Sequence, residues 1–578
     1  MPLSLTLASL LAGVSIACLI YHQFHLRRRG TLPPGPRGYP VIGNFLDIAT
    51  NHDVSWIRYW KWSQVYGEIY HLEVLGQHTV VLNSRKALVD LLDNRSHNYS
   101  DRPDMPMMMG LMKLHRRTFH QRFQPRVLPE YHDIQRTATV LLMDKLAVSP
   151  EKFMDHLNHW SGSIILKIVY GYTLQDVADD PYIRLVRSTL DGVISAASHG
   201  SYWIDYFPFL KYVPGWFPGA SFKLKAEEWR RSNEELKNEP WRWVKRALED
   251  GTAIPSFCTH SAERLSVTPG DGSREEEMIK LCAATAYVGG ADTTTLTVAS
   301  FILAMALHPE FQDRAQQEID AVIGYGSGRV PDFEDRDKLP FVDAIIKEIT
   351  RWNPVTPTVT PHRAVHDDVY EGYYIPAGTT IVANSWAVLH DESVYGPNPM
   401  EFNPARFMKP VENGDYPPDP SCFAFGFGRR ICPGRHFALD SIYLAVTSLL
   451  ASFTIAKALD EDGNEIVPKV EYEDGLVSHP KPFKCRFLPR KSMDAFDEMF
   501  KGTGADRMMY HHEDEWEHSH CCVLNLKFEQ LDVYDEAFDL HRELNAAIEK
   551  FVDRYDLLLR DTADPPNDMF EESAVRSL

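Results

Sequence analysis

The chain has 578 residues, with 60 Lys+Arg against 80 Asp+Glu and a formal net charge of −20 at pH 7. That balance argues against nucleic acid as a partner, because a polyanion is bound through clustered basic residues. Hydrophobic residues at 44% suffice for a large core, and eight scattered cysteines without a paired framework suit a reducing compartment. The charge is uneven: residues 491–578 hold 22 Asp+Glu and 9 Lys+Arg, so this tail carries −13 of the −20.

Residues 3–21 carry no charge and are followed by Arg27, Arg28 and Arg29, then by Leu32-Pro33-Pro34-Gly35-Pro36. About 20 apolar residues span a bilayer, so this segment is just long enough for a transmembrane helix. A cleavable signal peptide is the competing reading, but its basic residues would precede the apolar run rather than follow it. The positive-inside rule places the arginines and all that follows on the cytosolic side. The proline-rich stretch then acts as a stiff spacer. The chain divides into an anchor with its basic flank at 1–29, a body at 30–490 and an acidic extension at 491–578.

Within the body, Tyr202 to Gly219 interleaves Trp203, Phe207, Phe209, Trp216 and Phe217 with prolines, which serves either lipid contact or core packing. Ser273, with Glu276 three residues on, forms a capping box opening a helix. The helical pattern runs on to Pro309, some 35 residues or about 50 Å. Its middle reads Gly289-Gly290-Ala291-Asp292-Thr293-Thr294. Each glycine costs a helix roughly 1 kcal/mol relative to alanine. Weakness beside an acid and two hydroxyls points to a groove; close helix packing is the other reading.

Glu348 and Arg351 lie three apart, on one helical face. An exposed pair of that kind contributes under about 1 kcal/mol. His362 follows Pro361, and taken alone is a plain loop residue. Pro404-Ala405-Arg406-Phe407 precedes the most informative stretch, Phe425 to Gly434, in which Cys432 sits among Gly426, Gly428 and Gly434 with Arg430 two residues before it. Glycines let the backbone wrap closely around a flat cofactor and aim N–H groups at sulfur. Such donors, with Arg430, favour thiolate, the species that binds metal. In the tail, Phe538, Leu544, Ile548, Phe551, Tyr555 and Leu558 recur at helical spacing and predict one amphipathic helix. His511, His512, His518, His520, Cys521 and Cys522 match no ordinary zinc spacing, so the tail reads as a solvated extension.

Residues 425–434 resemble, position by position, the haem-binding loop of the cytochromes P450. Asp292-Thr293, Glu348 with Arg351, and Arg406 stand in the order of that family's other motifs, so the resemblance covers about residues 30–490. It implies a mainly α-helical fold behind an N-terminal transmembrane helix, with a small β-rich part near 65–85 and 365–385 and short strands near 465–488. It further implies heme b with Cys432 as axial thiolate, Phe425 and Gly426 beside it, and Arg430, His362 and Arg116 on the propionates. Glu348, Arg351 and Arg406 would brace the cysteine loop. Thr293 would hold dioxygen and Asp292 would supply protons, while Asn353–Thr360 and Glu473–Ser478 would line the pocket.

The implied activity is insertion of one atom of O2 into a lipophilic small molecule. Electrons would come from NADPH through a membrane-bound NADPH–cytochrome P450 reductase. Gly324-Tyr325-Gly326-Ser327-Gly328 lacks the strand and helix of a dinucleotide fingerprint, so the chain supplies no nucleotide site of its own. The wording is similar to fungal microsomal enzymes of secondary metabolism and xenobiotic oxidation, including aflatoxin-pathway-like oxidoreductases, which implies a single-pass protein of the endoplasmic reticulum membrane. Two departures stand out. Met112 occupies the place of the family's tryptophan propionate anchor, and only eleven residues separate Pro103 from His115, where relatives carry a longer loop. Looser haem and a more open pocket are expected. A haem-thiolate isomerase or dehydratase is one rival, which Asp292 and Thr293 argue against. An inactive binding relative is the other, which the shortened segment favours.

Overall fold

The structure, a computed structural model, describes residues 30–490 except 104–122, 175–179, 190–191, 193–211, 214–220, 268–272, 326–328, 411–413 and positions 41, 50, 52, 181 and 187. The expected anchor, Met112, His115 and Arg116, most of the aromatic stretch at 202–219 and the whole acidic tail lie outside the described residues. The chain divides into two units, Met1–Met508 and Met509–Leu578, and everything below concerns the first.

Helices dominate, as expected. The longer ones are α1 (Ser55–Tyr66), α2 (His132–Val148), α3 (Phe153–Tyr170), α4 (Ser221–Glu249), α5 (Phe257–Val267), α6 (Ser273–Leu307), α7 (Pro309–Ile323), α8 (Pro340–Trp352) and α9 (Arg435–Ser452). The pattern that predicted one helix from Ser273 to Pro309 is realised as the 35-residue α6. From Val298 to Met305 its side chains are buried around the full circumference at Val298, Phe301, Ile302, Leu303 and Met305. A helix apolar on every side must be enclosed by others. The helix is apolar enough to cross a membrane, yet 72% of its most apolar stretch is buried inside the domain.

The two central glycines divide the two readings between them. A Cβ on Gly290 would stand 2.6 Å from Ile165 Cδ1 of α3, whereas one on Gly289 meets nothing within 4 Å. Ser161 Oγ donates to the Gly290 carbonyl at 2.7 Å and Thr295 Oγ1 to the Leu157 carbonyl at 3.1 Å, so α3 and α6 are joined backbone to hydroxyl. Gly290 serves close packing and Gly289 leaves open space. The side chain of Ser273 lies outside the described residues, so the capping box is not described; Glu276 accepts from Trp241 Nε1 at 3.1 Å and pairs with Lys245 at 3.1 Å and Lys280 at 3.0 Å.

Three small sheets complete the body. β1 (Ile69–Val74), β2 (Gln77–Leu82), β6 (Thr380–Ala383) and β3 (His362–Arg363) form one sheet in that order, with β2 and β6 parallel and the other pairs antiparallel. β4 (Asp368–Tyr370) and β5 (Tyr373–Ile375) make a hairpin. β7 (Phe453–Leu459) lies between β8 (Glu465–Ile466) and β9 (Cys485–Pro489). These match the expected β regions except β7, which continues directly from α9 and so has no turn signal before it. Gln312 of α7 reads its backbone, donating to the Ile455 carbonyl at 3.0 Å and accepting from the Ile455 N–H at 2.8 Å. Glu318 of α7 accepts from the first free N–H groups of α8, Phe341 and Val342, at 3.0 Å each, where the positive end of a helix favours an anion.

Candidate functional site

The cysteine loop is set by α9, which begins at Arg435 immediately after Gly434. The Cys432 N–H donates to the Phe425 carbonyl at 2.8 Å and closes the loop on itself. Gly426 and Gly428 take φ of +82° and +51°, a region that a side chain adopts only with strain. A Cβ on Gly428 would lie 2.2 Å from the Leu92 carbonyl oxygen, and its N–H donates to Asp93 Oδ1 at 2.6 Å. Gly428 therefore makes room for a neighbouring backbone. Cys432 is half-buried, and Phe427 is buried against Phe423.

Behind the loop stands the brace. Arg351 grips Glu348 through Nε–Oε2 at 2.7 Å and Nη2–Oε1 at 2.8 Å, and Arg406 Nε reaches the same Oε1 at 3.1 Å. Oε1 also accepts from the Asn403 N–H at 2.7 Å. The remaining guanidinium protons go to carbonyls: Arg351 to Leu389, Pro399 and Glu401, and Arg406 to Tyr395, Asn398 and Glu401. Glu348 and Arg351 are fully buried. Buried ions persist only when paired and hydrogen-bonded throughout, and here they are. Sequence reading brought these three residues together, and the structure does too.

A second basic group, with His362 buried and Arg102 and Arg430 half-buried, is built differently. Arg430 Nε donates to the Ser100 carbonyl at 2.8 Å, and Arg102 Nη1 donates to the carbonyls of Thr360 and Pro361 at 2.5 and 2.7 Å. The His362 Nδ1–H donates to the Tyr99 carbonyl at 2.6 Å, while its buried Nε2 has no partner among the described residues. Burial, and then the charge of Arg102, push His362 down to about 3. Burial and the neighbouring Arg430 likewise lower Arg102 to about 10. Among the described residues, no carboxylate pairs with Arg102 or Arg430. Two guanidinium groups and an imidazole, with Asp101 the opposing charge acting on Arg102, suit two carboxylates on one ligand.

The opposite wall comes from α6. Thr293 Oγ1 donates to the Gly289 carbonyl at 2.7 Å, which leaves its lone pairs as acceptors. Asp292 pairs with His479, whose Nε2 stands 3.1 Å from Oδ2 and 3.4 Å from Oδ1. Only the Oδ1 contact has hydrogen-bond alignment; the shorter one is a charge contact, and Oδ2 is otherwise buried without a hydrogen bond. His479 ends a hairpin closed by Tyr472 pairing with Pro480 and by the Glu473 N–H donating to the His479 carbonyl at 2.8 Å. Asp474 of the same hairpin accepts from the Ser55 N–H at 2.9 Å and Oγ at 2.6 Å, capping α1. The two expected wall segments touch directly: the Ser478 N–H donates to the Val355 carbonyl at 2.9 Å. Beside them Val359 is held at φ +50°, a conformation that costs a β-branched residue about 1–3 kcal/mol.

One thiol in a tight loop, a basic cluster that includes a residue of that loop, and a helix carrying an acid–hydroxyl pair together fit a haem-thiolate enzyme. The comparisons agree. The family model described as Cytochrome P450 matches residues 33–487. A cytochrome P450 monooxygenase of Armillaria gallica is 43% identical over 511 residues, covering 84% of this chain and 97% of its own length. Cytochrome P450 monooxygenase 98 of Postia placenta is 39% identical, covering 83% of this chain and 94% of its own. The tryptamine 4-monooxygenase of Psilocybe cyanescens is 37% identical, with 83% and 97% covered. The chain belongs to the cytochrome P450 family, and it is a haem monooxygenase whose cofactor iron is held by a cysteine thiolate. Its family match ends at residue 487, just before the acidic tail.

Two residues of the site were missed in the sequence. Arg102 was visible only as part of Asp101-Arg102-Pro103, and its signal is a basic residue next to a proline that commits it to an extended segment. His479 lies one residue beyond the stretch expected to line the pocket.

Proposed function

We propose that Cys432 supplies the thiolate and that the enzyme oxygenates a lipophilic small molecule of secondary or xenobiotic metabolism. The observation that carries this is Arg430: two residues before the cysteine, it joins the basic cluster of Arg102 and His362, so thiol and anion-binding groups form one site. Haem, when bound there, supplies the activation of dioxygen. The chain does the rest. Arg102, Arg430 and His362 hold the propionates, with Arg102 standing in where Met112 replaces an anchor. With its Nδ1–H committed to Tyr99, His362 donates from Nε2 only as imidazolium, the form that a propionate charge favours. Thr293 Oγ1 accepts a hydrogen bond from an O–H in the pocket, and Asp292 hands protons to it. Val355, Val359 and the 473–478 segment orient the substrate and exclude water.

Electrons reach this domain from NADPH through a flavoprotein reductase, and residues 3–21 anchor it to the endoplasmic reticulum membrane with the body in the cytosol. Reduced protein under carbon monoxide tests the ligand: Cys432→Ser abolishes the thiolate-type band, and a retained band places the ligand elsewhere. Product formation from a panel of terpenoids, polyketides and aromatic compounds, with and without reductase, tests the electron route. Thr293→Ala is expected to keep haem while diverting NADPH to peroxide; unchanged coupling would refute its role. The shortened segment before His115 leaves haem looser than in a version with a longer loop, and equal haem occupancy in the two would sink that expectation.

A further inference from the structure

Asp292 and His479 come from positions 187 apart in sequence and meet at 3.1 Å. The side chain of Asp292 is 12% exposed and that of His479 27%, so the imidazole is the more solvent-accessible of the pair. Burial pushes the imidazole down, but the hydrogen bond and charge of Asp292, with Glu473 across the hairpin behind them, outweigh it and hold the ring above its ordinary value. Asp292 from α6 and Glu473 from the hairpin are the charged groups acting on it; the adjacent Tyr472 is neutral and donates to Ser300 Oγ at 3.0 Å. The hairpin is clamped at both ends, by Ser478 to Val355 and by Asp474 to Ser55, so the ring cannot drift from the carboxylate.

We propose that His479 is the positioning residue through which Asp292 is re-protonated: it holds the carboxylate in place and relays protons from solvent to it. In each transfer one proton leaves His479 Nε2 for an Asp292 carboxylate oxygen, and one returns to the neutral ring from water. The ring thus ends as it began, and Asp292 carries a proton for the Thr293 side of the pocket. This rests on the reading of Asp292 given above. Imidazole suits the task because it exchanges protons near neutral pH, which guanidinium and carboxamide do not.

The test uses the holoenzyme reconstituted with reductase and NADPH in air without added substrate, scored by the share of reduced oxygen released as hydrogen peroxide rather than water. In the wild type this share rises with pH between about pH 6 and 9 as the ring loses its proton. His479→Gln and His479→Arg are both expected to raise it several-fold and to flatten the pH profile. A His479→Arg variant that matches the wild type would reduce the residue to a counter-charge and overturn the relay. Asp292→Asn separates the two readings. If it raises peroxide while His479→Gln does not, the relay alone fails; if neither does, the role of Asp292 fails with it. A readout independent of turnover is the imidazole resonance in 13C-histidine-labelled protein that disappears in His479→Gln. Its titration midpoint is expected to fall in Asp292→Asn, and an unmoved midpoint would show that the pair does not exist in solution.

Discussion

The brace and the basic cluster are both built around arginines, buried in the first and half-buried in the second, and they could hardly be more different in how their charges are met. Around Glu348 the hydrogen-bonding groups are matched: both carboxylate oxygens are taken, and the guanidinium groups of Arg351 and Arg406 reach the carboxylate and five carbonyls. Around His362 the positive groups repel one another, one ring nitrogen has no partner among the described residues, and two pKa values are depressed. A closed network is structure. A cluster dominated by one sign, with Asp101 the opposing charge acting on Arg102, suits a ligand that brings the opposite charge.

That contrast can be broken by measurement. The largest effect belongs to the brace: Arg351→Ala leaves Glu348 buried and under-paired, at a cost of about 3–5 kcal/mol. The loss should be the same with or without haem by denaturant unfolding; a loss confined to the haem-loaded protein would merge the two regions into one. Next is acid sensitivity. With His362 at about 3 in the folded protein against an ordinary 6.5, the unfolded chain takes up a proton that the folded one refuses. Stability therefore falls as pH drops through that window. His71 and His390, both also pushed down to about 3 chiefly by burial, add to the same slope. In apoprotein, His362→Gln should flatten the slope, and haem should do likewise to the His362 share; a slope indifferent to both would remove His362 from the anion site.

Arg102→Met sharpens the comparison from the other side. Relief of repulsion partly offsets loss of its bonds to the Thr360 and Pro361 carbonyls, so the apoprotein should lose less stability than with Arg351→Ala, while haem loses a charge-assisted bond of about 1.5–3 kcal/mol, or about ten- to a hundredfold in retention. Haem transfer to apomyoglobin reads this directly, and an unchanged transfer rate would exclude Arg102 from the site. The smallest effects separate the two helix glycines. Gly290→Ala forces Ile165 aside and should cost about 1–3 kcal/mol, whereas Gly289→Ala, with open space, should gain up to about 1 kcal/mol of helix stability.

How much of this was legible in the chain depends on range. The cysteine loop, the long helix and the brace motifs each declare themselves within a few residues, because capping chemistry, glycine placement and helical spacing act locally. The fold class and the positions of most strands followed from the family resemblance that those motifs carry, not from local patterning of their own. Arg102 and His479 were not legible, since their meaning lies in partners 259 and 187 positions away. Glu276 likewise takes partners, Trp241 and Lys245, that no helical period brings near. Strand β7 hid because its start is the uninterrupted end of α9.

The bond between Ser478 and Val355 has a consequence for how such an enzyme changes its diet. It runs from backbone N–H to backbone carbonyl, so it is indifferent to which side chains the two residues carry. Side chains on either wall can be exchanged while the walls keep their register. New substrates can then be explored by point substitution, with the architecture that places the iron left alone.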